Sequence, residues 1–122
     1  MVADPELGLP DITGYENHGG ITTLGPGARP LGRVVVGHGN DSGDGSEGIV
    51  SGRVVGTYLH GPVLAHNPAL ADHLLTSVLG PLDPLDEPEV AALRTERLHA
   101  ARHPHLPHLT SGSRWRRLLG GG

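Results

Sequence analysis

Residues 53–62 read Arg-Val-Val-Gly-Thr-Tyr-Leu-His-Gly-Pro, and they predict a β-strand that ends at His60. Apolar side chains fall on both faces of this strand, which is typical of a strand covered on both sides. Shortly after it, Asn67 and Pro68 are suited to begin a helix, because asparagine is a common N-cap and proline a common first helical residue. Leucine and valine then recur at helical spacing up to Gly80. A buried strand followed by a helix indicates an α/β fold.

Further elements are expected on either side of this strand and helix. Upstream, short apolar runs bounded by turn residues predict strands at 12–16, 33–37 and 47–50, with an exposed loop at 39–45. A turn at Ser51-Gly52 predicts a hairpin between the strand at 47–50 and the strand that begins at Arg53. Downstream, residues 86–101 predict a surface helix, because acids lie in its first turn and arginines towards its end.

The length of 122 residues fits one small domain. We expect an irregular lead-in over residues 1–10, the domain over 11–102, and a flexible tail containing His, Pro and Arg over 103–122. With no Phe, one Trp and two Tyr, the core has to be built from Val, Leu, Ile and Ala. Such a core is expected to be thin, because these side chains bury less area than aromatic ones.

Charge and residue usage exclude several classes of function. A net charge of −4 argues against a general nucleic-acid binder, which needs a basic surface to neutralise phosphates. The absence of cysteine removes disulfides, thiolate metal sites and thiol nucleophiles. The first nine residues do not read as a secretory signal, and no apolar run reaches the length of a membrane span. We therefore expect a cytoplasmic protein.

His60 is the first candidate for chemistry. In α/β folds, functional groups concentrate at the carboxyl ends of strands, where side chains project from a rigid sheet. An imidazole in that position can act as a general base for a nucleophile. A structural histidine bonded to a nearby carbonyl fits the same position, and position alone leaves both interpretations open.

Four blocks of sequence resemble, in order, the C-terminal half of class I glutamine amidotransferases of the CobB/CobQ type, and most of all the GatD-type subfamily. The blocks are Gly14-Tyr-Glu-Asn-His-Gly-Gly20, Gly37-His-Gly-Asn40, Asp44-Gly-Ser-Glu-Gly48 and Gly56-Thr-Tyr-Leu-His-Gly-Pro62. The resemblance continues through residues 67–72 and covers about residues 14–80. It implies part of a flavodoxin-like α/β domain with a mixed sheet and C-terminal helices.

The resemblance also implies roles for individual residues. His60 would be the base of a Cys-His pair that hydrolyses glutamine, and Asn17, His18 and Gly19 match a segment that contacts the substrate glutamine. For His18, a hydrogen bond that fixes the loop is an alternative to a direct part in catalysis. Glu16 and Glu47 could orient neighbouring groups, but for each of them a solvated or turn-capping role is expected.

The implied partner is a Mur-ligase-like subunit of the MurT type, in a heterodimer that amidates the D-glutamate of lipid II to D-isoglutamine during peptidoglycan synthesis. ATP and Mg²⁺ would bind to that ligase partner, and no cofactor is expected in this chain. Two alternatives stay open: a fragment of a cobyric acid or cobyrinate amidotransferase of cobalamin synthesis, and a non-catalytic module that binds a partner.

Two departures from the family pattern matter. Many class I enzymes have a Glu two residues after the histidine, where this sequence has Pro62, a difference that itself resembles the CobB/CobQ branch. The family's nucleophilic cysteine lies upstream of the glutamine-contacting block, and this sequence contains no cysteine. We therefore expect that the isolated chain hydrolyses no glutamine, and we interpret it as a truncated gene model or a relic.

Overall fold

A computed structural model describes residues 2–83 and 85–103. The strands are β1 (Val2–Pro5), β2 (Ile12–Thr13), β3 (Tyr15–Glu16), β4 (Gly32–Val36), β5 (Ser46–Glu47), β6 (Ile49–Ser51), β7 (Val54–Gly56) and β8 (Leu59–His60). The helices are α1 (Val63–His66), α2 (Pro68–Leu79) and α3 (Pro88–Arg102). Neighbouring strands are antiparallel in each pair. The fold is therefore mixed α/β with short antiparallel strands.

The largest sheet has the strand order β2-β1-β4-β5, so that β1 lies between two partners. Ala3 pairs with Ile12 on one side and with Val34 on the other. The expectation of an irregular lead-in over residues 1–10 is therefore wrong for β1. The sequence of β1 itself does not indicate a strand, because it contains Asp4 and Pro5, and both residue types are uncommon within strands. The two strands that pair with β1 both come later in the chain. The proline stands at the last position of the strand, where the register pairs it with Gly32 of β4.

Two stretches that the sequence predicts as single strands are each divided. Residues 12–16 form β2 in the large sheet and β3 in a separate ladder with β8. Gly14 lies at the division, and a Cβ there would come within 3.0 Å of the Leu59 side chain. Residues 53–60 likewise form β7, which pairs with β6 in the expected hairpin, and β8, which pairs with β3. Both divisions place short strands in different ladders, which local sequence patterns do not reveal.

Both predicted helices are present as α2 and α3, and α1 is an additional turn of helix that the sequence did not indicate. Asn67 occupies the predicted N-cap of α2, but its side chain makes no capping hydrogen bond. It bonds instead to the backbone of Thr13 and Val63. None of the helices within the described ranges is both long and apolar enough to cross a membrane.

The core is small and aliphatic, as the composition predicts. Its buried members are Ile12, Leu31, Val50, Leu59 and Leu70. Partly buried leucines and valines from the N-terminal segment, β7, α1 and α2 pack against them. The expectation that the stretch 53–60 is covered on both faces is wrong for Val54, which is 63% exposed, because only one face of the β6–β7 hairpin meets the core.

Candidate functional site

His60 ends β8, as the sequence predicts, and it is exposed. Its neighbour Leu59 is 4% exposed and belongs to the core. Successive side chains of a strand point to opposite faces, so the burial of Leu59 turns His60 outwards. In the pairing with β3, His60 lies opposite Tyr15. Leu59 lies opposite Glu16, so the residues just before His60, and not His60 itself, lie nearest to the segment 17–19.

The carboxylate of Glu16 fixes the turn at 38–39. Both of its oxygens lie 3.2 Å from the backbone nitrogen of His38, and Oε1 accepts a hydrogen bond of 2.7 Å from the backbone nitrogen of Gly39. The structure therefore shows the turn-capping role that the sequence predicts for Glu16. It also joins β3 to the Gly-rich segment after β4.

His18 makes the loop-fixing hydrogen bond that the sequence left open as an alternative. Its Nδ1 donates to the carbonyl oxygen of Gly20 at 3.0 Å, and its Nε2 lies 4.0 Å from Oε1 of Glu16. The ring also stacks on Tyr58, with centroids 3.8 Å apart and planes inclined by 17°. The Tyr58 hydroxyl is in turn 2.7 Å from the hydroxyl of Thr22. The segment 17–22 is therefore held against the chain just before His60.

A pocket of about 320 Å³ opens beside this stack. It is lined by Glu16, Asn17, His18, His38 and Asp41. Two of the predicted glutamine-contacting residues, Asn17 and His18, thus line one pocket. Gly19 is exposed and lies outside its lining, as does His60. The structure brings part of the predicted site together but does not place the His60 side chain in this pocket.

A neighbouring pocket of about 450 Å³ adds residues that the sequence analysis did not single out. It extends from β2 and β3 to His66 at the end of α1 and Arg97 on α3. Burial, and secondly the positive charge of Arg97, lower the pKa of His66. No motif signals these two residues, because they meet only when α3 packs near α1.

The solvated role that the sequence suggests for Glu47 is wrong, because the residue is 0% exposed. Its Oε1 accepts hydrogen bonds from the hydroxyl of Thr57 and, at 3.1 Å, from the backbone nitrogen of Tyr58. Burial raises the pKa of Glu47, with the nearby charge of Glu16 adding to that rise and the bonds from Thr57 and Tyr58 opposing it. Its Oε2 has no hydrogen-bond partner among the described residues. The residues next to Glu47 in the sequence, Ser46 and Gly48, give no indication that its side chain is buried.

The Gly-rich segment 39–45 is more ordered than an exposed loop. Asn40 is 0% exposed, and its amide donates to Ser46 Oγ and to the Gly48 carbonyl, both at 3.0 Å. Its Oδ1 accepts from the Gly48 backbone nitrogen at 2.8 Å. Hydrogen bonds from Ser46 and Ser42 lower the pKa of Asp44 to about 2. The prediction of an exposed loop is therefore wrong for Asn40 and holds for Asp44.

Four histidines, at positions 99, 103, 105 and 108, lie close together in the sequence near the C-terminus. His99 and His103 stack at 4.4 Å, whereas His105 and His108 lie outside the described residues, as do Trp115 and the arginines around it. Within residues 2–83 and 85–103, no group of three or more His, Asp or Glu side chains is arranged to hold a metal ion.

Several known proteins are similar to part of this chain. Residues 4–68 match the CobB/CobQ-like glutamine amidotransferase domain family. The chain is 46% identical over 66 residues to the lipid II isoglutaminyl synthase (glutamine-hydrolyzing) subunit GatD of Streptococcus pneumoniae, covering 54% of this chain and 25% of that protein. It is 48% identical over 64 residues to the GatD subunit of Staphylococcus aureus, covering 52% of this chain and 26% of that protein.

Cobyric acid synthases are also similar. That of Pelotomaculum thermopropionicum is 49% identical over 69 residues, covering 56% of this chain and 13% of that protein. The matched stretch thus spans about a quarter of the two GatD subunits, at 25% and 26%, and a smaller share of this synthase. The family match at 4–68 includes Asn17, His18, Gly19 and His60.

Proposed function

Because this chain belongs to the CobB/CobQ-like glutamine amidotransferase family, we propose that it carries the histidine and glutamine-contacting part of a glutaminase. The ammonia released would amidate the D-glutamate of lipid II to D-isoglutamine in peptidoglycan synthesis. The observation that carries this proposal is the identity of 46% and 48% to two GatD subunits of lipid II isoglutaminyl synthase. A flavodoxin-like arrangement of the complete domain is part of the same proposal.

His60 is the proposed base. In a Cys-His pair, the cysteine thiolate attacks the carboxamide carbon of glutamine, and the imidazolium protonates the departing ammonia as the C–N bond breaks. The imidazole then takes a proton from the water that cleaves the thioester, releasing glutamate. The exposed position of His60 at the end of β8 supports this role, since the ring can face a nucleophile brought from outside this sheet.

Asn17, His18 and Gly19 are the proposed glutamine contacts. Asn17 and His18 line the pocket of about 320 Å³, and the stack on Tyr58 fixes the orientation of the His18 ring. Since Nδ1 of His18 donates to Gly20, Nε2 is the ring nitrogen left to meet a ligand or Glu16. Gly19 has open space around its Cα, which would let a ligand approach the backbone.

The 122-residue polypeptide contains no cysteine, and we propose that by itself it hydrolyses no glutamine. Its partner would be a MurT-type, Mur-ligase-like subunit that binds ATP and Mg²⁺, in the cytoplasm. The chain would contribute the histidine and the glutamine contacts to that assembly.

Glutamine binding and turnover can be tested separately. Isotope-labelled histidine in the purified chain reports on a glutamine titration by NMR, with shifts expected for His18 and not for His73 on α2. His18→Ala should abolish binding, while the matched variant His73→Ala should retain it. Ammonia release should not exceed that of buffer, and measurable release would refute the proposed inactivity. Absence of any glutamine-induced shift would refute the substrate assignment.

The likeness to cobyric acid synthases supports a second candidate, amidation of a corrinoid. Co-purification with a MurT-type subunit distinguishes the cell-wall function from corrinoid amidation. Capture of that subunit together with glutamine binding supports the cell-wall function. Glutamine binding without capture favours the corrinoid pathway, and capture without glutamine binding would leave a non-catalytic partner-binding module.

A further inference from the structure

Glu47 is a buried carboxyl group that accepts hydrogen bonds from Thr57 and Tyr58, the two residues between β7 and β8. It is 0% exposed, and its Oε2 has no hydrogen-bond partner among the described residues. Burying such a group is unfavourable unless its bonds compensate. Its position therefore needs an explanation beyond the packing of the core.

One oxygen of Glu47 holds three consecutive residues. Oε1 accepts from the hydroxyl of Thr57 and from the backbone nitrogen of Tyr58, and the Thr57 hydroxyl accepts from the backbone nitrogen of Leu59 at 3.0 Å. These are the three residues immediately before His60. The two residues between β7 and β8 are thus fixed by side chains where no strand pairing holds them.

The same residues carry the contacts of the proposed glutamine site. The Tyr58 ring stacks on His18, and its hydroxyl meets Thr22. Leu59 pairs with Glu16, whose carboxylate holds the turn at 38–39. A shift of the backbone at residue 58 would therefore move both the ring against His18 and the start of β8.

We propose that Glu47 is a positioning residue: through Thr57 and the Tyr58 backbone it sets the ring of Tyr58 against His18 and the direction in which His60 leaves β8. The inference deepens the proposed function and rests on it for the link to glutamine. Glu47 itself contacts neither substrate nor reacting atoms in this role. It acts through geometry, as residues behind a ligand site commonly do.

The test compares variants that keep or remove the acceptor oxygen. Glu47→Gln retains an oxygen for Thr57 and Tyr58, whereas Glu47→Ala removes it. Thr57→Ser retains the hydroxyl, whereas Thr57→Val removes it at an exposed position. The readout is the NMR signal of the His18 ring protons, which the stacked Tyr58 ring shifts upfield. Tyr58→Leu defines the signal without that ring, and methyl signals of Ile12 and Leu70 report on the core.

We expect Glu47→Ala and Thr57→Val to lose the upfield shift of His18 and to move the His60 signals, with the core methyl signals unchanged. Glu47→Gln and Thr57→Ser should keep the wild-type signals. Retention of the His18 shift in folded Glu47→Ala would overturn the proposal. If Glu47→Ala does not fold, retention of the shift in Thr57→Val overturns it instead.

Titrating the same variants with glutamine tests whether the position of the Tyr58 ring against His18 affects glutamine binding. Glutamine should bind about tenfold more weakly to the variants that lose the stack, at the lower end of the effect that partners of metal-ligating residues have on metal affinity. If the wild-type chain binds no glutamine, the proposed function fails, yet the His18 ring signals still decide whether Glu47 positions Tyr58. The two failures are therefore distinguishable.

Discussion

The side chain of Asn67 is hydrogen-bonded to both backbone groups of Thr13, 54 residues earlier in the chain. Its Oδ1 accepts from the Thr13 nitrogen at 2.9 Å, and its Nδ2 donates to the Thr13 oxygen at 2.8 Å. Nδ2 also donates to the Val63 oxygen at 2.7 Å. One side chain thereby joins the start of α2 to α1 and to the end of β2, close to where β3 begins.

Asn67→Ala should strongly destabilise the chain. Asn67 is 2% exposed and Thr13 is 5% exposed, so water cannot easily replace the lost bonds. Losing buried hydrogen bonds of this kind should lower the free energy of unfolding by about 2–4 kcal/mol. Urea denaturation measures the change. The exposed Asn17→Ala is the matched control and should change the free energy by less than about 0.5 kcal/mol; equal losses in the two variants would contradict this assignment.

Gly48→Ala should be much more harmful than Gly43→Ala. Both glycines have positive φ, +62° and +82°, so both substitutions carry the strain of a left-handed conformation, about 1–2 kcal/mol. A Cβ at Gly48 would also overlap the carbonyl oxygen of Gly56, whereas nothing lies within 4 Å at Gly43. The difference between their thermal unfolding temperatures isolates the steric cost. Similar temperatures for the two variants would mean that the β6–β7 hairpin can move away from Gly48.

Leu31→Ala tests how thin the core is. Leu31 is 0% exposed and packs in the aliphatic cluster, so truncation should cost about 2–5 kcal/mol in unfolding free energy. Such a loss would be a large fraction of the total stability of a domain of this size. Leu85, which is 81% exposed, provides a matched leucine, and Leu85→Ala should leave the denaturation midpoint nearly unchanged. Comparable midpoints for the two variants would show that the cluster adds little to stability.

The pKa of Glu47 predicts a stability that falls as pH rises. Burial raises the pKa of this carboxyl above its ordinary value of 4.5. Between those two values the folded chain binds more protons than the unfolded chain, so the free energy of unfolding decreases with increasing pH. Glu47→Gln removes this titration. The difference in unfolding free energy, wild type minus Glu47→Gln, should therefore be largest below about pH 4.5 and decline above it, as measured by urea denaturation across a pH series; a difference that grows with pH would contradict the burial.

Asp44 should give the opposite sign in the same experiment. Its pKa is lowered from 3.8 to about 2 by hydrogen bonds from Ser46 and Ser42. The unfolded chain then binds more protons than the folded chain as the pH falls from 3.8 towards 2. The wild type should lose stability relative to Asp44→Asn over that range. A parallel pH dependence of the two proteins would show that the Ser42 and Ser46 bonds do not persist in solution.

Much of the local structure could be predicted from the sequence. Helix α2 follows from Pro68 and the leucine spacing, α3 follows from its charge pattern, and the β6–β7 hairpin follows from the turn at Ser51-Gly52. The placement of His60 at the end of an apolar strand also follows from local pattern. What could not be predicted were the partners: β1 takes its place from two later strands, and residues 12–16 and 53–60 are divided because their halves pair in different ladders.

In the candidate site, too, some features could be predicted from the sequence and others only from the tertiary structure. Four blocks of sequence placed the chain in its family and pointed to Asn17, His18, Gly19 and His60. The burial of Glu47, the stack of His18 on Tyr58 and the bonds from Asn67 to Thr13 depended on the tertiary structure.

The sequence by itself therefore determined the helices, the turns and the family, because these depend on neighbouring residues and on side-chain chemistry. The tertiary structure alone decided which polar groups are buried and which residues meet, because strand pairing and desolvation join positions that are far apart in the chain.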